Sequence, residues 1–275
     1  MLTNLDALEA PTEAPTKETA NSILKFRRPS QDGSAERTVP LPTRAQRFYL
    51  PIRRFLDFTL ALLLTLLALP VVLLAALAVR LTSRGSAFYT QTRTGKNGKQ
   101  FTIFKIRTMI NNCESLTGPR WTIPGDPRVT AVGWLLRRTH IDELPQLLNV
   151  LKGEMSLIGP RPERPEFVNE LERVIRSYKN RHIALPGITG LAQVQLAPDT
   201  DVESVRRKLI YDLHYVEHMS LWLDVRIMLA TLLHMLGMSF ARLQKLRIVP
   251  GPSQVEGPAP IPVPEDPSRV QKQAA

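Results

Sequence analysis

From Phe58 to Val79 the chain reads Phe-Thr-Leu-Ala-Leu-Leu-Leu-Thr-Leu-Leu-Ala-Leu-Pro-Val-Val-Leu-Leu-Ala-Ala-Leu-Ala-Val, without a single charge. A run of roughly 20 apolar residues has the length of a bilayer-crossing helix. Pro70, near its middle, lacks an N–H and clashes with the preceding turn, so the helix should bend there. Two membrane topologies follow: a helix that crosses, or one that enters and leaves by the same face. Positive residues favour the cytoplasmic side, and here they stand on both flanks. Arg44, Arg47, Arg53 and Arg54 precede the run, and Arg80, Arg84, Arg93 and Lys96 follow it. Equal positive flanks favour the re-entrant form. Asp57 stands four residues after Arg53, within helical pairing reach. It suits an anchor for the bend, or an ordinary interfacial residue.

The rest of the chain divides around this segment. Residues 1–47 are polar and proline-bearing and read as disordered, and no apolar core follows Met1 to make a signal peptide. Residues 48–84 form the membrane element, residues 85–249 a globular domain, and residues 250–275 a proline-rich disordered tail. Within the domain, 87–92 and 100–106 read as strands joined through Lys96-Asn97-Gly98-Lys99, where Asn-Gly is a hairpin signal. Residues 110–128 read as a loop. Leu144, Leu147, Leu148 and Leu151 give a helical period that Gly153 ends. Residues 163–184 read as one charged helix stopped at Pro186-Gly187, and 202–217 as an amphipathic one. Residues 219–240 are apolar but contain Asp224 and Arg226. They suit either an interfacial helix with Trp222 at head-group depth or a core helix. The fold class is α+β and mostly helical: a proline-broken re-entrant helix, a small β-hairpin and interfacial amphipathic helices.

Lys and Arg number 36 against 25 Asp and Glu, a net charge of +11. That excess favours anionic partners: nucleic acid, anionic lipid or phosphorylated substrates. A single cysteine, Cys113, rules out an intrachain disulfide framework or cysteine-based zinc site and suits a reducing compartment.

The candidate chemistry centres on Asp142 and Glu143. Thr139 or Asp142 could cap a helix here, and Pro145 favours Asp142 because proline is tolerated only in the first turn. Either frame puts both carboxylates at a helix N-terminus, where the anionic form is favoured. An ionised carboxylate there can attack phosphorus or bind a metal, and a pair suits Mg²⁺, which completes its shell with water and phosphate oxygens. Arg137, Arg138 and Arg161 flank the pair, and Lys105, Arg107 and Arg128 precede it. Guanidinium groups bind phosphate oxygens through two parallel bonds, although any one such residue is more often a solvated surface charge. Arg161 lies between Pro160 and Pro162, which aim it. No dinucleotide fingerprint or Walker loop is present, and no histidine spacing suggests a metal site.

Together these motifs resemble the bacterial sugar transferase family, the monotopic phosphoglycosyl transferases, over roughly residues 50 to 240. The resemblance is carried by Arg53-Arg54-x-x-Asp57, the Pro70-broken segment, Gln91-x-Arg93-x-Gly95, Lys105-x-Arg107-Thr108-Met109 and Asp126-Pro127-Arg128-Val129-Thr130. It continues in Asp142-Glu143-Leu144-Pro145-Gln146-Leu147, Asn149-Val150-Leu151-Lys152-Gly153, Gly159-Pro160-Arg161-Pro162 and Pro186-Gly187-Ile188-Thr189-Gly190. The resemblance implies transfer of a sugar-1-phosphate from a UDP-sugar to polyprenyl (undecaprenyl) phosphate, with Mg²⁺, at the cytoplasmic face of the bacterial inner membrane. That transfer would initiate synthesis of a surface glycan such as an exopolysaccharide, O-antigen or capsule. It makes Asp142 the nucleophile and Glu143 its acidic partner, both of them metal-ligand candidates. Arg137, Arg161, Lys105 and Arg128 become phosphate-binding candidates, and Arg53, Arg54, Asp57 and Pro70 the membrane anchor. The bilayer is a partner, nucleic acid is not, and a homo-oligomer is allowed. The chain departs from the pattern at Leu185, where many members have a basic residue, at Gln195-Leu196-Ala197, which replaces a frequent Asn-Gly-Arg and bears on donor identity, and, mildly, at Glu154, which replaces a common aspartate. Its short polar start resembles the family's minimal form. A catalytically silent membrane scaffold is the alternative, favoured by the missing arginine near Gln195.

Overall fold

A computed structural model describes residues 43–113, 125–199 and 201–256. Its first element, helix α1 (Arg44–Thr82), begins at a capping box: the Thr43 hydroxyl accepts from Gln46 N and the Gln46 side chain accepts from Thr43 N. Helix therefore starts before residue 48, and residues 44–47 are ordered; the expected disorder of residues 1–42 lies outside the described residues. The helical assignment runs on through Pro51 and Pro70. Only 17% of its apolar window is buried, too little for the core helix of a soluble domain. Leu66, Leu67, Leu73 and Leu74 are all exposed.

Both halves of α1, on either side of Pro70, nevertheless pack on the globular body. Ala61 joins the main core with Val150, Met155 and Leu157, while Ala75 and Val79 pack with Ile106 and Leu136. Arginines fasten both ends. Arg54 donates to the carbonyls of Val150 (2.8 Å) and Leu151 (3.3 Å). Arg107 donates to the carbonyls of Arg84 (2.6 Å) and Ser83 (3.1 Å) just beyond the C-terminus of α1.

The hairpin forms as its turn signal predicts. Strand β1 (Phe88–Thr94) pairs antiparallel with β2 (Gln100–Ile106), from Phe88 opposite Ile106 to Thr94 opposite Gln100. Asn97 and Gly98 supply the positive φ angles of 56° and 76° that reverse the chain. β1 outlasts its expected end at residue 92 by two residues. Much of the loop expected over 110–128 lies outside the described residues; at its borders Met109 bridges to Val129.

Helix α2 (Ala131–Arg138) was not legible from periodicity, being only 8 residues long. Thr130 caps it, accepting from Gly133 N at 3.0 Å. A 3₁₀ segment (Ile141–Gln146) leads into helix α3 (Leu147–Lys152), which Gly153 ends at φ 85°, as expected. Asn149, fully buried, ties α3 to β2 by donating to Thr102 O and accepting from Phe104 N. The departure at Glu154 keeps this tie, since its carboxylate accepts from Asn149 Nδ2 at 2.7 Å.

Strands β3 (Ser156–Ile158) and β4 (Gly187–Thr189) pair in parallel in a second small sheet. The chain approaches itself closely here. A Cβ on Gly187 would meet Gly159 N at 2.1 Å and Thr189 O at 2.4 Å. Gly187→Ala is therefore expected to destabilise the fold by about 3 kcal/mol or more, because backbone must move to admit it; an unchanged melting temperature would refute this.

The single helix expected over 163–184 is instead two segments. Helix α4 (Pro165–Val174) ends, Ser177 turns left-handed at φ 61°, and a 3₁₀ turn (Tyr178–Ile183) follows. Helix α5 (Val202–His218), capped by Asp201, packs on α4 through Leu209, Leu213, Phe167 and Leu171. Helix α6 (Leu221–Met235) packs one face into the body and leaves the other exposed. Leu223, Ile227 and Ala230 are buried, whereas Trp222, Val225, Leu229 and Leu232 are exposed. Helices α7 (Phe240–Lys245) and α8 (Pro252–Val255) are the last elements among the described residues. The tail expected to be disordered from residue 250 is ordered as far as Glu256. Val249 and Val255 sit in the core, and Glu256 accepts from Tyr211 and Arg207.

Candidate active site

Asp142 and Glu143 lie in the 3₁₀ segment between α2 and α3. Neither expected capping frame forms. The cap position is His140, left-handed at φ 57°, with no capping side chain, and the Thr139 hydroxyl donates back to Leu135 O. The carboxylates are thus carried by a tight turn. Proline at position 145 suits it, because its missing N–H falls within the first turns of the helical stretch.

The two acids have different surroundings. Glu143 is clamped: Lys105 Nζ, from β2, donates to Oε1 at 2.8 Å, Arg161 Nη1 donates to Oε2 at 3.1 Å, and Arg161 Nη2 closes on Oε1. Burial pushes this carboxyl up, but Arg161 and Lys105 overcome it and hold it well below the usual range. Lys105 is itself lowered, by burial against the pull of Glu143. Asp142 is buried, and among the described residues it makes no hydrogen bond or ion pair. Burial, then the neighbouring Glu143 charge, raises it to about 6, against the attraction of Lys105, Arg137 and Arg161. One carboxylate is therefore a fixed anion and the other an uncommitted one.

The elbow that aims Arg161 is tied at each residue. Gly159 N donates to Thr189 O, Pro160 O accepts from Gly187 N, Arg161 O accepts from Arg181 Nη2 and Pro162 O accepts from Arg93 Nη1. Behind it Glu163 pairs with Lys208 at 2.9 Å and Arg93 at 3.6 Å. Burial raises the Glu163 carboxyl, but Lys208 and Arg93 pull it down to about 2. This fixing reduces the ordering cost of holding a ligand.

The other basic candidates separate. Arg137 reaches the rim from the last turn of α2, its Nε donating to Thr108 Oγ1 at 2.8 Å, and its charge is felt at Asp142. Arg128 is taken up in a bidentate pair with Asp126, at 2.9 and 2.6 Å. Arg107 caps α1, and Arg138 lies over the Trp134 ring at 5.2 Å.

The Arg53 and Asp57 pair lies at 3.9 Å, inside a larger buried network. Asp57 accepts from Ser156 Oγ at 2.7 Å and Leu157 N at 3.2 Å. Arg53 approaches Asp224 at 3.4 Å, and Tyr49 and Tyr215 also donate to Asp224. Asp224, Ser156 and Tyr215 were missed by the sequence reading. The signal for Asp224 was available: an acid within an apolar run needs a buried partner. Gln195, where the family pattern departs, is buried and donates to Pro250 O at 2.8 Å, so it fastens the chain's return to the core.

As a metal site, the pair is sparse. No group of three or more His, Cys, Asp or Glu gathers among the described residues. Mg²⁺ needs only one or two carboxylates, since it takes its other ligands from water and substrate phosphates; Asp142 is uncommitted, whereas both Glu143 oxygens already accept from Lys105 and Arg161.

The model of the bacterial sugar transferase family matches residues 48–238. Over 183 residues the chain is 48% identical to the UDP-glucose:undecaprenyl-phosphate glucose-1-phosphate transferase of Caulobacter vibrioides, covering 65% of this chain and 67% of that protein. Over 184 residues it is 44% identical to the UDP-N-acetylgalactosamine-undecaprenyl-phosphate N-acetylgalactosaminephosphotransferase of Aeromonas hydrophila, covering 67% of this chain and 43% of that protein. An exopolysaccharide production protein of Rhizobium leguminosarum bv. phaseoli is 38% identical over 187 residues, 66% of this chain and 94% of that protein. The chain therefore spans less than half of the Aeromonas protein and nearly all of the Rhizobium one.

Proposed function

The chain belongs to the bacterial sugar transferase family, and on that premise we propose that it transfers a sugar-1-phosphate from a UDP-sugar to undecaprenyl phosphate. The observation that carries the reading is the unlike pair: a buried, uncommitted Asp142 beside a Glu143 clamped by Lys105 and Arg161. In the first step an Asp142 carboxylate oxygen attacks the β-phosphorus. The bond from that phosphorus to the bridging oxygen breaks, and UMP leaves with the electron pair. An acyl phosphate joins Asp142 to the phosphosugar. In the second step an oxygen of the lipid phosphate attacks the same phosphorus, the acyl–phosphate bond breaks and Asp142 is regenerated. Arg161 and Arg137 would bind phosphate oxygens, and Arg161 and Lys105 keep Glu143 ionised. Mg²⁺ held by Asp142 and Glu143 would neutralise charge on the diphosphate.

Turnover is tested by mixing the full chain in nanodiscs with undecaprenyl phosphate and UDP-sugars. UDP-glucose and UDP-N-acetylgalactosamine come first, since the relatives above are named for them. UMP and a lipid-linked sugar should form together. UMP without lipid product would mean hydrolysis, and no UMP from any UDP-sugar would mean a scaffold. Because Asp142 must be ionised to attack, the rate should fall as pH drops through about 6 and level off above it. A rate that stays flat down to pH 4.5 would exclude Asp142 as the limiting ionisation.

The membrane reading is that α1 re-enters, with the catalytic body on the cytoplasmic face. Support comes from the packing of both helix halves on one body and the exposed leucines between them. The exposed face of α6, with Trp222, would rest at the head groups. In a Cys113→Ser background, Ala45→Cys and Thr90→Cys should be labelled by an impermeant reagent from the same side of sealed vesicles. Labelling from opposite sides would mean a crossing helix.

A further inference from the structure

The second step leaves a proton to be placed. A phosphate monoester has its second pKa near about 6, so part of the acceptor arrives still carrying an O–H, which must be lost as its oxygen attacks. The acidic pair is poorly suited to take that proton. Asp142 is esterified at this stage. Glu143 accepts from Lys105 and Arg161 and is held well below the usual carboxylate range, which makes it a weak base. Lys105, Arg137 and Arg161 offer donors.

At the end of α6, His234 is set up as an acceptor. Gly237, at φ 92°, turns the chain back, with Met238 N donating to Leu233 O and Gly237 N to His234 O. That turn brings Met238 O to 3.0 Å from His234 Nδ1. A carbonyl can only accept, so Nδ1 carries the proton, and in the neutral ring Nε2 keeps its lone pair. Phe240 stacks on the imidazole, with ring centres 4.4 Å apart and planes 20° apart, which fixes the ring. Nε2 has no hydrogen-bond partner among the described residues. The helix sets its place. One turn earlier Thr231 bonds Thr189 at 2.8 Å, and Thr189 O holds Gly159 N of the Arg161 elbow at 2.8 Å. Residues three apart share a helix face, so His234 lies on the face that meets the elbow. His140, two residues before Asp142, feels the charges of Glu143, Arg161, His234 and Lys105, so His234 and the catalytic turn share one neighbourhood. Around His234 on α6, Leu232, Met235 and Leu236 are exposed. The imidazole therefore stands where an apolar face meets the site, the side from which a lipid phosphate would arrive. His140 is the other imidazole here, but no side-chain hydrogen bond holds its ring among the described residues.

We propose that His234 is a catalytic residue of the second step, the base that takes the proton of the acceptor phosphate. The proposal rests on the transfer reading. The lipid phosphate O–H gives its proton to His234 Nε2, and its oxygen bonds to the phosphorus of the intermediate. The acyl–phosphate bond breaks, Asp142 leaves as a carboxylate with the electron pair, and the imidazolium then loses the proton to water. The test separates the two steps, using the full chain in nanodiscs with UDP-glucose and UDP-N-acetylgalactosamine. Without lipid phosphate, a stoichiometric burst of UMP reports the first step. With undecaprenyl phosphate, steady turnover reports both. His234→Ala and, as a bulkier replacement, His234→Gln should still give the burst but lose turnover by about 10²-fold, the scale of a lost acid–base group. The phosphosugar-bearing chain should then accumulate in the presence of lipid phosphate, as seen by mass spectrometry. Added imidazole should restore turnover to His234→Ala, a rescue that a merely structural role would not show. Wild-type turnover in both variants, an equal loss of burst and turnover, or the same selective loss in His140→Gln would overturn the assignment and leave the transfer reading standing. A wild type that releases no UMP from either donor would overturn that reading, and the proposal with it.

Discussion

Asp142→Asn is expected to abolish sugar-phosphate transfer and, at the same time, to raise the melting temperature. The loss should reach 10³-fold or more, roughly the scale seen when a covalent nucleophile is removed, because an amide oxygen cannot form the acyl phosphate. The gain in stability follows from the same surroundings. Asp142 is raised from 3.8 to about 6, first by burial and then by the charge of Glu143. A folded-state pKa above the unfolded one means the folded chain binds the extra proton between them. Folding is therefore most favoured below about pH 4 on this group's account, and that advantage is lost as pH rises through about 6. Above it, holding the bare carboxylate costs roughly 1–3 kcal/mol, at about 1.4 kcal/mol for each pKa unit. Asparagine keeps the shape and removes the charge. At pH 7.5 the variant should melt about 3–10 °C higher, and the difference should shrink toward zero as pH falls to 4. Retained activity would remove Asp142 as the nucleophile. A variant no more stable than wild type at pH 7.5 would mean that Asp142 is not strained by its setting.

That trade between stability and reactivity was only half legible in the sequence. The Asp142-Glu143 dipeptide, the flanking arginines and the proline-framed Arg161 could be read from residue types alone. The division of labour between the acids could not. It depends on Lys105, 38 residues upstream, arriving from β2. The expected helix cap failed for a similar reason. Capping is a local rule, and here the left-handed His140 and the clamp on Glu143 set the turn. Local signals succeeded where local physics decides: Asn97-Gly98 in the hairpin and Gly153 at the end of α3. They failed where tertiary contacts decide, as at Ser177, which splits a charged stretch that reads as one helix. They failed also at Val249 to Glu256, a proline-bearing segment held by core contacts and by Gln195. The membrane segment was legible in its length and apolarity. The means by which it grips the domain was visible only as the pair Arg53 and Asp57.

That grip carries the second large expectation: Arg53→Met should destabilise the protein by about 3–5 kcal/mol, the usual cost of leaving buried charge without its partner. Arg53 is 6% exposed and stands between Asp57 and Asp224, each 7% exposed. Its Nη2 also donates to Ser156 Oγ at 2.6 Å and to Ile158 O, and its guanidinium lies 5.7 Å from the centre of the Tyr215 ring. One side chain thus joins α1, β3, α5 and α6. Methionine fills much of the space but leaves two carboxylates facing each other in a buried setting. Asp224 retains Tyr49 and Tyr215, and Asp57 retains Ser156 and Leu157 N, so repulsion between the acids should dominate the loss. Arg53→Met with Asp224→Asn should then be more stable than Arg53→Met alone, although it lacks one more native group. Thermal unfolding in nanodiscs measures both variants, and a double variant less stable than the single one would contradict the charge account. The damage should reach function as well, because β3 runs directly into Gly159-Pro160-Arg161. A helix no longer held to Ser156 and Ile158 leaves Arg161 less firmly aimed at Glu143. Any Arg53→Met protein that folds should therefore lose transfer activity, and the double variant should recover stability more fully than rate.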